Sequence, residues 1–262
     1  FDNISDLNKI HNSLLKNKIT IPAISDTFNY KSLSKSYNSS GGIGVGNNIF
    51  SSNTYFQKFI PGKTFSISFI ASDSDPVILG FNQLFIVENN TKYPFLHAGA
   101  MIIDFEQPYR GYMLDWIKAI TKYYSLTGYI SIDFKIFSNN LEILDINPRL
   151  SGSYRLYTRK YKNLMFNHMK PGDPLNLKSN DYFSYIILYA KNDLVVDRRI
   201  SSIEDVSDTP SIGQAIKKDM PIMTLNIRAN NQHNLFKEIK RRIISAMKII
   251  DCYNTQLDYE QY

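Results

Sequence analysis

Apolar residues recur at helical spacing at Ile4, Leu7, Ile10, Leu14 and Leu15, predicting a helix that gives way to a short extended segment, Ile19-Thr-Ile-Pro22-Ala-Ile24, interrupted by proline. The period then changes. Thr54 to Ala71 reads as a strand, a Pro61-Gly62 turn and a second, alternating strand, and Val77 to Val87 continues the sheet. Tyr112, Met113, Trp116, Ile117, Ile120 and Tyr124 return to helical spacing. Tyr129–Ile136 and Leu141–Ile146, split by the polar Ser138-Asn139-Asn140, spell an antiparallel hairpin. Toward the C-terminus the pattern predicts strands at Tyr185–Ala190 and Pro221–Ile227, then a helix from Leu235 to Ile250.

The hairpin carries the densest chemistry. Asp145 and Asn147 are two apart, so a period of two points both to one face, and cross-strand pairing can bring Asp133 beside them. By the same count Glu142, three before Asp145, is expected on the opposite face. Two carboxylates and an amide oxygen form a hard-oxygen set suited to Mg²⁺ held jointly with phosphate oxygens, Mn²⁺ being an alternative. Arg149, at the strand's end, could take a phosphoryl or carboxylate group in bidentate fashion.

A second stretch, Ser32 to Gly46, is polar and glycine-rich, running through Ser40, Gly41 and Gly42. Glycines admit positive φ and leave N–H groups bare, so such a loop can wrap phosphates while Lys35 supplies a point charge. Taken alone, these stretches also fit a plain hairpin with solvated acids and a plain turn.

The composition narrows the partners. A net charge of +6 could suit nucleic acid, but Lys and Arg are scattered, and a phosphate-bearing small ligand accounts for the charge as well; no nucleic-acid partner is expected. The single Cys252 excludes an internal disulfide and a cysteine zinc cluster. Without an apolar run of membrane-spanning length, no membrane partner is expected and a cytoplasmic location is, with homo-oligomerisation left open.

The motifs share one resemblance. Asp-Ile-Asn-Pro-Arg at 145–149, twelve residues after Asp133, resembles the metal hairpin of the ATP-grasp family, with Asp145 where Glu is usual. Asn8-Lys9 followed by Ile21-Pro22 resembles the family's opening signature, with Asn8 for Asp; Lys35, six residues before Gly41, resembles its Lys-Pro and Gly-rich lid, with Ser36 for Pro. The resemblance implies an ATP-grasp fold of two α+β subdomains closing on a nucleotide, divided at 1–60 and 61–262, with the N-terminal domain that usually precedes them absent or truncated. It implies that Lys9 meets a phosphate or the adenine, and that Gln57, Lys58, Phe59 and Ile60 form the adenine hinge, with Lys58 where Glu is common. Ser151, Gly152, Ser153 and Arg155 fall where the family positions its acceptor.

The tail, a Tyr-Ala strand, Pro-x-x-Gly and Pro-Ile-x-Thr before a helix, resembles a branch that includes tyramine–glutamate ligase. The implied activity is ATP-dependent carboxylate–amine ligation through an acyl phosphate, with Lys35 and Arg149 offsetting charge and small-molecule carboxylate and amine substrates. An ATP-binding module without ligase activity is the alternative.

Overall fold

A computed structural model describes residues 18–25, 27–28, 31–37, 40–46, 53–105, 108–171 and 174–257. Lys9 and the helix expected around it lie outside these residues.

The strands in chain order are β1 (Ile19–Thr20), β2 (Ile24–Ser25), β3 (Ser32–Ser36), β4 (Val45–Gly46), β5 (Thr54–Lys58), β6 (Thr64–Ala71), β7 (Val77–Ile86), β8 (His97–Ile103), β9 (Gly128–Phe137) and β10 (Asn140–Asn147). They continue with β11 (Tyr161–Lys162), β12 (Asn176–Leu177), β13 (Tyr182–Tyr189), β14 (Leu194–Val195), β15 (Val206–Ser207), β16 (Ala215–Ile216) and β17 (Pro221–Ala229). Among the described residues the helices are α1 (Tyr109–Tyr124), α2 (Tyr154–Lys160), α3 (Leu164–Met169), α4 (Arg198–Ser201) and α5 (Gln232–Met247). A large sheet has the order β1-β10-β9-β6-β7-β8-β13-β17-β15, and a small one the order β2-β5-β3-β4. Ile19 and Thr20 come from the segment expected in the first subdomain, yet they pair in parallel with Leu141 and Glu142 of the large sheet.

Strand alternation sorts the side chains of the large sheet. On β6 and β9, Phe65, Ile67, Phe69, Ile130, Ile132 and Phe134 pack with Trp116 and Ile120 of α1 and Ile239 of α5 in one continuous core. Fully burying side chains of this size is worth about 1.5–3 kcal/mol each. Serines, Asp133 and Lys135 take the intervening positions and therefore share the other face. Part of that face is closed by a second cluster, in which Tyr157 of α2 and Leu164 of α3 cover Ile70, Leu79 and Tyr129. The remainder is left for the small sheet.

The predicted hairpin forms over β9 and β10, and its turn is two residues long. Ser138 and Asn139 both have positive φ, 49° and 63°. Short polar residues tolerate that conformation, which matches the twist of the flanking strands. No helix among the described residues is long and apolar enough to cross a membrane.

Candidate functional site

The register of the hairpin places Asp145 directly opposite Asp133, and Asn147 opposite Ser131. Between Ile143 and Asp145 the register shifts at a β-bulge, which corrects the parity argument for Glu142. Leu141, Ile143 and Ile146 are the core-facing residues of β10, spaced by two and then by three. Leu144 absorbs the extra step, so Glu142 pairs with Lys135 and shares the face of Asp145. A bulged residue leaves the ladder, and its carbonyl needs another partner. Lys35 Nζ supplies it, donating to Leu144 O at 3.2 Å and to Gln57 Oε1 at 3.1 Å.

Burial lowers the pKa of Lys35, while the charges of Asp145 and Asp133 oppose the shift. Asp133 moves the other way: burial first and the facing Asp145 second raise it to about 7, against the pull of Lys35 and Arg149. Two carboxylates forced together in a buried site suit a divalent cation, and the amide oxygen of Asn147 completes a hard-oxygen set. Arg149 Nη2 donates to that oxygen at 2.8 Å. A carbonyl oxygen has two lone pairs, so Asn147 can hold both the guanidinium and a metal. Among the described residues no three His, Cys, Asp or Glu side chains gather into a metal-binding group, so any ion here would rest on two carboxylates and neutral oxygen.

The small sheet forms the opposing wall. On β5, Gln57 is 4% exposed. Its Oε1 is taken by Lys35, and its Nε2 has no hydrogen-bond partner among the described residues. A buried donor without an acceptor is costly, which marks Nε2 as a group aimed at a ligand. The expected hinge is largely engaged within the protein. Lys58 N–H donates to Ala23 O and Phe59 N–H to Lys31 O, each at 2.8 Å, while Ile60 O accepts Lys135 Nζ, also at 2.8 Å. The Ile60 N–H meets no backbone acceptor among the described residues.

The glycine-rich loop is seated on the turn before β8. Gly41 O accepts the His97 N–H at 2.8 Å. Gly42 has φ +79°, and a Cβ there would lie 1.8 Å from Phe95 O, so only glycine fits this close approach. Lys35, Ser40, Gly41, Gly42, Gln57, Lys58, Phe59, Ile60, Asp133, Asp145, Asn147 and Arg149 thus line one cavity of about 530 Å³. Ser151, Gly152 and Ser153 line it too. Arg155 instead turns onto the Tyr185 ring, 5.1 Å from its centroid, and pairs with Asp208 at 3.2 Å.

Lys135, His97 and Tyr185 line the cavity as well. Lys135, lowered to about 8 by burial, ties the large sheet to the hinge. His97 and Tyr185 meet, Nε2 to hydroxyl, at 2.8 Å. Burial, with Arg155 adding to it, lowers His97 to about 4. For Lys135 the signal was present, since Asp133-x-Lys135 shares a face by strand parity. His97 falls in the stretch Phe95 to Ala100, whose small residues suggest a turn facing a substrate, but Tyr185 reaches it only through long-range strand pairing, which no local pattern encodes.

A small antiparallel sheet set against a large one, with facing carboxylates and a half-buried lysine between them, defines the class: a mixed α+β fold around a charged cleft. The chain belongs to the ATP-grasp family; the model of the ATP-grasp domain matches residues 4–153, more than half of its 262 residues. An uncharacterized protein of Methanocaldococcus jannaschii is 26% identical over 175 residues, 66% of this chain. The match spans 42% of that relative's length. An L-amino acid ligase from Bacillus licheniformis superposes with a TM-score of 0.68 at 11% identity, covering 96% of this chain and 72% of that one. A biotin carboxylase from Campylobacter jejuni, solved as a β-γ-ATP complex, superposes with a TM-score of 0.65 at 12% identity, covering 97% and 68%. At these identities the two structures show a common fold.

Proposed function

We propose that the chain is an ATP-dependent carboxylate–amine ligase that forms an amide and releases ADP and phosphate through an acyl phosphate. The observation that carries this reading is the pairing of Asp133 with Asp145 beside Lys35, which is lodged on the bulged carbonyl of Leu144. Such a site concentrates charge where phosphate and cation would meet. Solved neighbours that include an L-amino acid ligase and a carboxylase holding a β-γ-ATP ligand support it. The branch that includes tyramine–glutamate ligase, which the C-terminal tail resembles, is part of the same proposal.

Asp133, Asp145 and Asn147 would hold Mg²⁺, or Mn²⁺ in its place, which when bound offsets charge on phosphate oxygens. Lys35 and Arg149 add fixed positive charge on either side of the carboxylate pair. Gln57 Nε2 and the Ile60 N–H offer hydrogen bonds to the nucleotide. The lid, seated on Phe95 and His97, excludes water that would hydrolyse an acyl phosphate. The substrate carboxylate oxygen bonds to the terminal phosphorus as ADP leaves; the amine nitrogen then bonds to the acyl carbon as phosphate leaves with the electron pair. No side chain need act as a nucleophile.

ADP release tests the reading. A ligase forms ADP when given ATP, Mg²⁺, a carboxylate and an amine together, and weakly with the carboxylate alone. Tight ATP binding with no ADP from any pair drawn from a broad panel of acids and amines would leave a binding module in its place.

A further inference from the structure

One part of the cleft is lined by side chains that belong to neither the β9–β10 hairpin nor the glycine-rich loop. Tyr185 comes from β13, beyond the region matched by the ATP-grasp domain. Its hydroxyl pairs with His97 Nε2 at 2.8 Å, and its ring lies under the Arg155 guanidinium. Arg155 is fixed in turn by Asp208, which also accepts Thr224 Oγ1 at 2.8 Å. The loop that follows Arg149 rests on this pair: a Cβ on Gly152 would lie 2.4 Å from the Tyr185 hydroxyl and 3.7 Å from His97 Nε2. Tyr185 therefore lines the cleft beside Ser151 and Ser153 and packs against the backbone between them.

The charge of the lining is one-sided. Asp133 and Asp145 are its only acidic side chains among the described residues, and both are assigned to the cation; the basic side chains are Lys35, Lys58, Lys135 and Arg149. His97 is uncharged at neutral pH, because burial and Arg155 disfavour its protonation. A cationic group reaching this part would give up its hydration without meeting a counter-charge.

We propose that Tyr185 and His97 are the specificity-determining residues of the carboxylate subsite, and that the acid accepted there carries an uncharged or anionic group, not a cationic one, at its distal end. The inference rests on the ligase reading and deepens it. Tyr185 hydroxyl and the His97 imidazole read the distal group through neutral hydrogen bonds, and Arg155 is a positioning residue acting through the Tyr185 ring.

The test supplies ATP, Mg²⁺ and hydroxylamine, whose nitrogen attacks an acyl phosphate, expels phosphate and leaves a coloured hydroxamate. The probes are 5-hydroxypentanoate, glutarate and 5-aminopentanoate, matched in length, with L-norleucine, L-glutamine and L-lysine as a second set sharing one α-ammonium. Hydroxamate formation should be at least about tenfold slower for the cationic member of each set, the discrimination an unpaired group produces. Tyr185→Phe, which keeps the ring under Arg155, should raise KM for the accepted acid at least about fivefold with KM for ATP unchanged. His97→Gln, which keeps a partner for the hydroxyl, should restore what His97→Leu loses. Equal rates for cationic and neutral probes, or an unchanged KM in Tyr185→Phe, overturn the inference and leave the ligase reading standing. Neither hydroxamate nor ADP from these probes or any protein amino acid overturns both.

Discussion

Asp133 and Asp145 face each other across β9 and β10 as a direct cross-strand pair, one residue past the bulge at Leu144. Like charges opposite one another destabilise a sheet, so the pair is relieved either by a proton, as the raised pKa of Asp133 reflects, or by a nearby cation. Lys35 does so in part, from the opposing lobe. A divalent ion would do so fully. Asp145→Asn keeps the side-chain volume and removes one of the two charges. Native protein should gain Tm on adding Mg²⁺; the variant should lose that gain and most Mg²⁺-dependent turnover while its circular dichroism spectrum is retained, and native turnover at limiting Mg²⁺ would remove the metal assignment.

Lys35→Met addresses the opposing lobe. The methionine fills the space of the stem but leaves Leu144 O and Gln57 Oε1 without their donor, at a cost of about 1–3 kcal/mol for buried groups left unpaired. ATP affinity should fall by about the same amount if the ammonium also meets phosphate. Denaturant titration and calorimetric ATP titration separate the two effects. A loss of stability with ATP affinity intact would make Lys35 a clamp between the sheets and nothing more.

Gly42→Ala should unseat the lid. The added methyl cannot lie 1.8 Å from Phe95 O, so the loop must lift, and the alanine would also be strained at φ +79°. Limited proteolysis should cut the variant faster near residues 40–46, and KM for ATP should rise while overall stability drops by about 1 kcal/mol or less, since the loop buries little. An unchanged digestion pattern would mean that the lid does not depend on this contact.

His97 supplies a pH dependence. Its folded pKa, about 4, lies below the ordinary 6.5, so between those values the unfolded chain binds a proton that the native protein does not. Stability then falls as pH drops from about 6.5 toward 4, with a slope of at most about 1.4 kcal/mol per pH unit from this group. His97→Gln should flatten that part of the urea-midpoint profile. A profile identical to the native one would show that the imidazole is not held neutral by its surroundings.

Much of this architecture was legible in the residue pattern, because its chief elements are local. Trp116, Ile117 and Ile120 specify the buried stripe of α1, and Ser138-Asn139 specifies the turn between β9 and β10. Parity also carried Asp133, Asp145 and Asn147 to one face. It failed for Glu142, since a single extra residue inverts every position before it, although the adjacent Ile143-Leu144 pair broke the alternation and was the visible sign of a bulge. The hydrogen bonds of the segment expected as a hinge were not legible, because Lys58, Phe59 and Ile60 make them with Ala23, Lys31 and Lys135, contacts that only the assembled sheets create. For the same reason the stretch Phe95 to Ala100 could be read as facing a substrate, while the pairing of His97 with Tyr185 could not be read at all.

The parallel pairing of β1 with β10 gives the small sheet an unusual attachment. The chain is already anchored in the large sheet at Ile19 and Thr20 before it leaves to build β2, and it returns at Thr64 after β5. Where it departs and where it comes back, Ala23 and Lys58 are hydrogen-bonded to each other at 2.8 Å. The small sheet is thus a cassette on a single two-stranded stem. Excising residues 24–57 would leave two ends already side by side, so a short linker could close the gap and the large sheet could be studied as a doorway without its door.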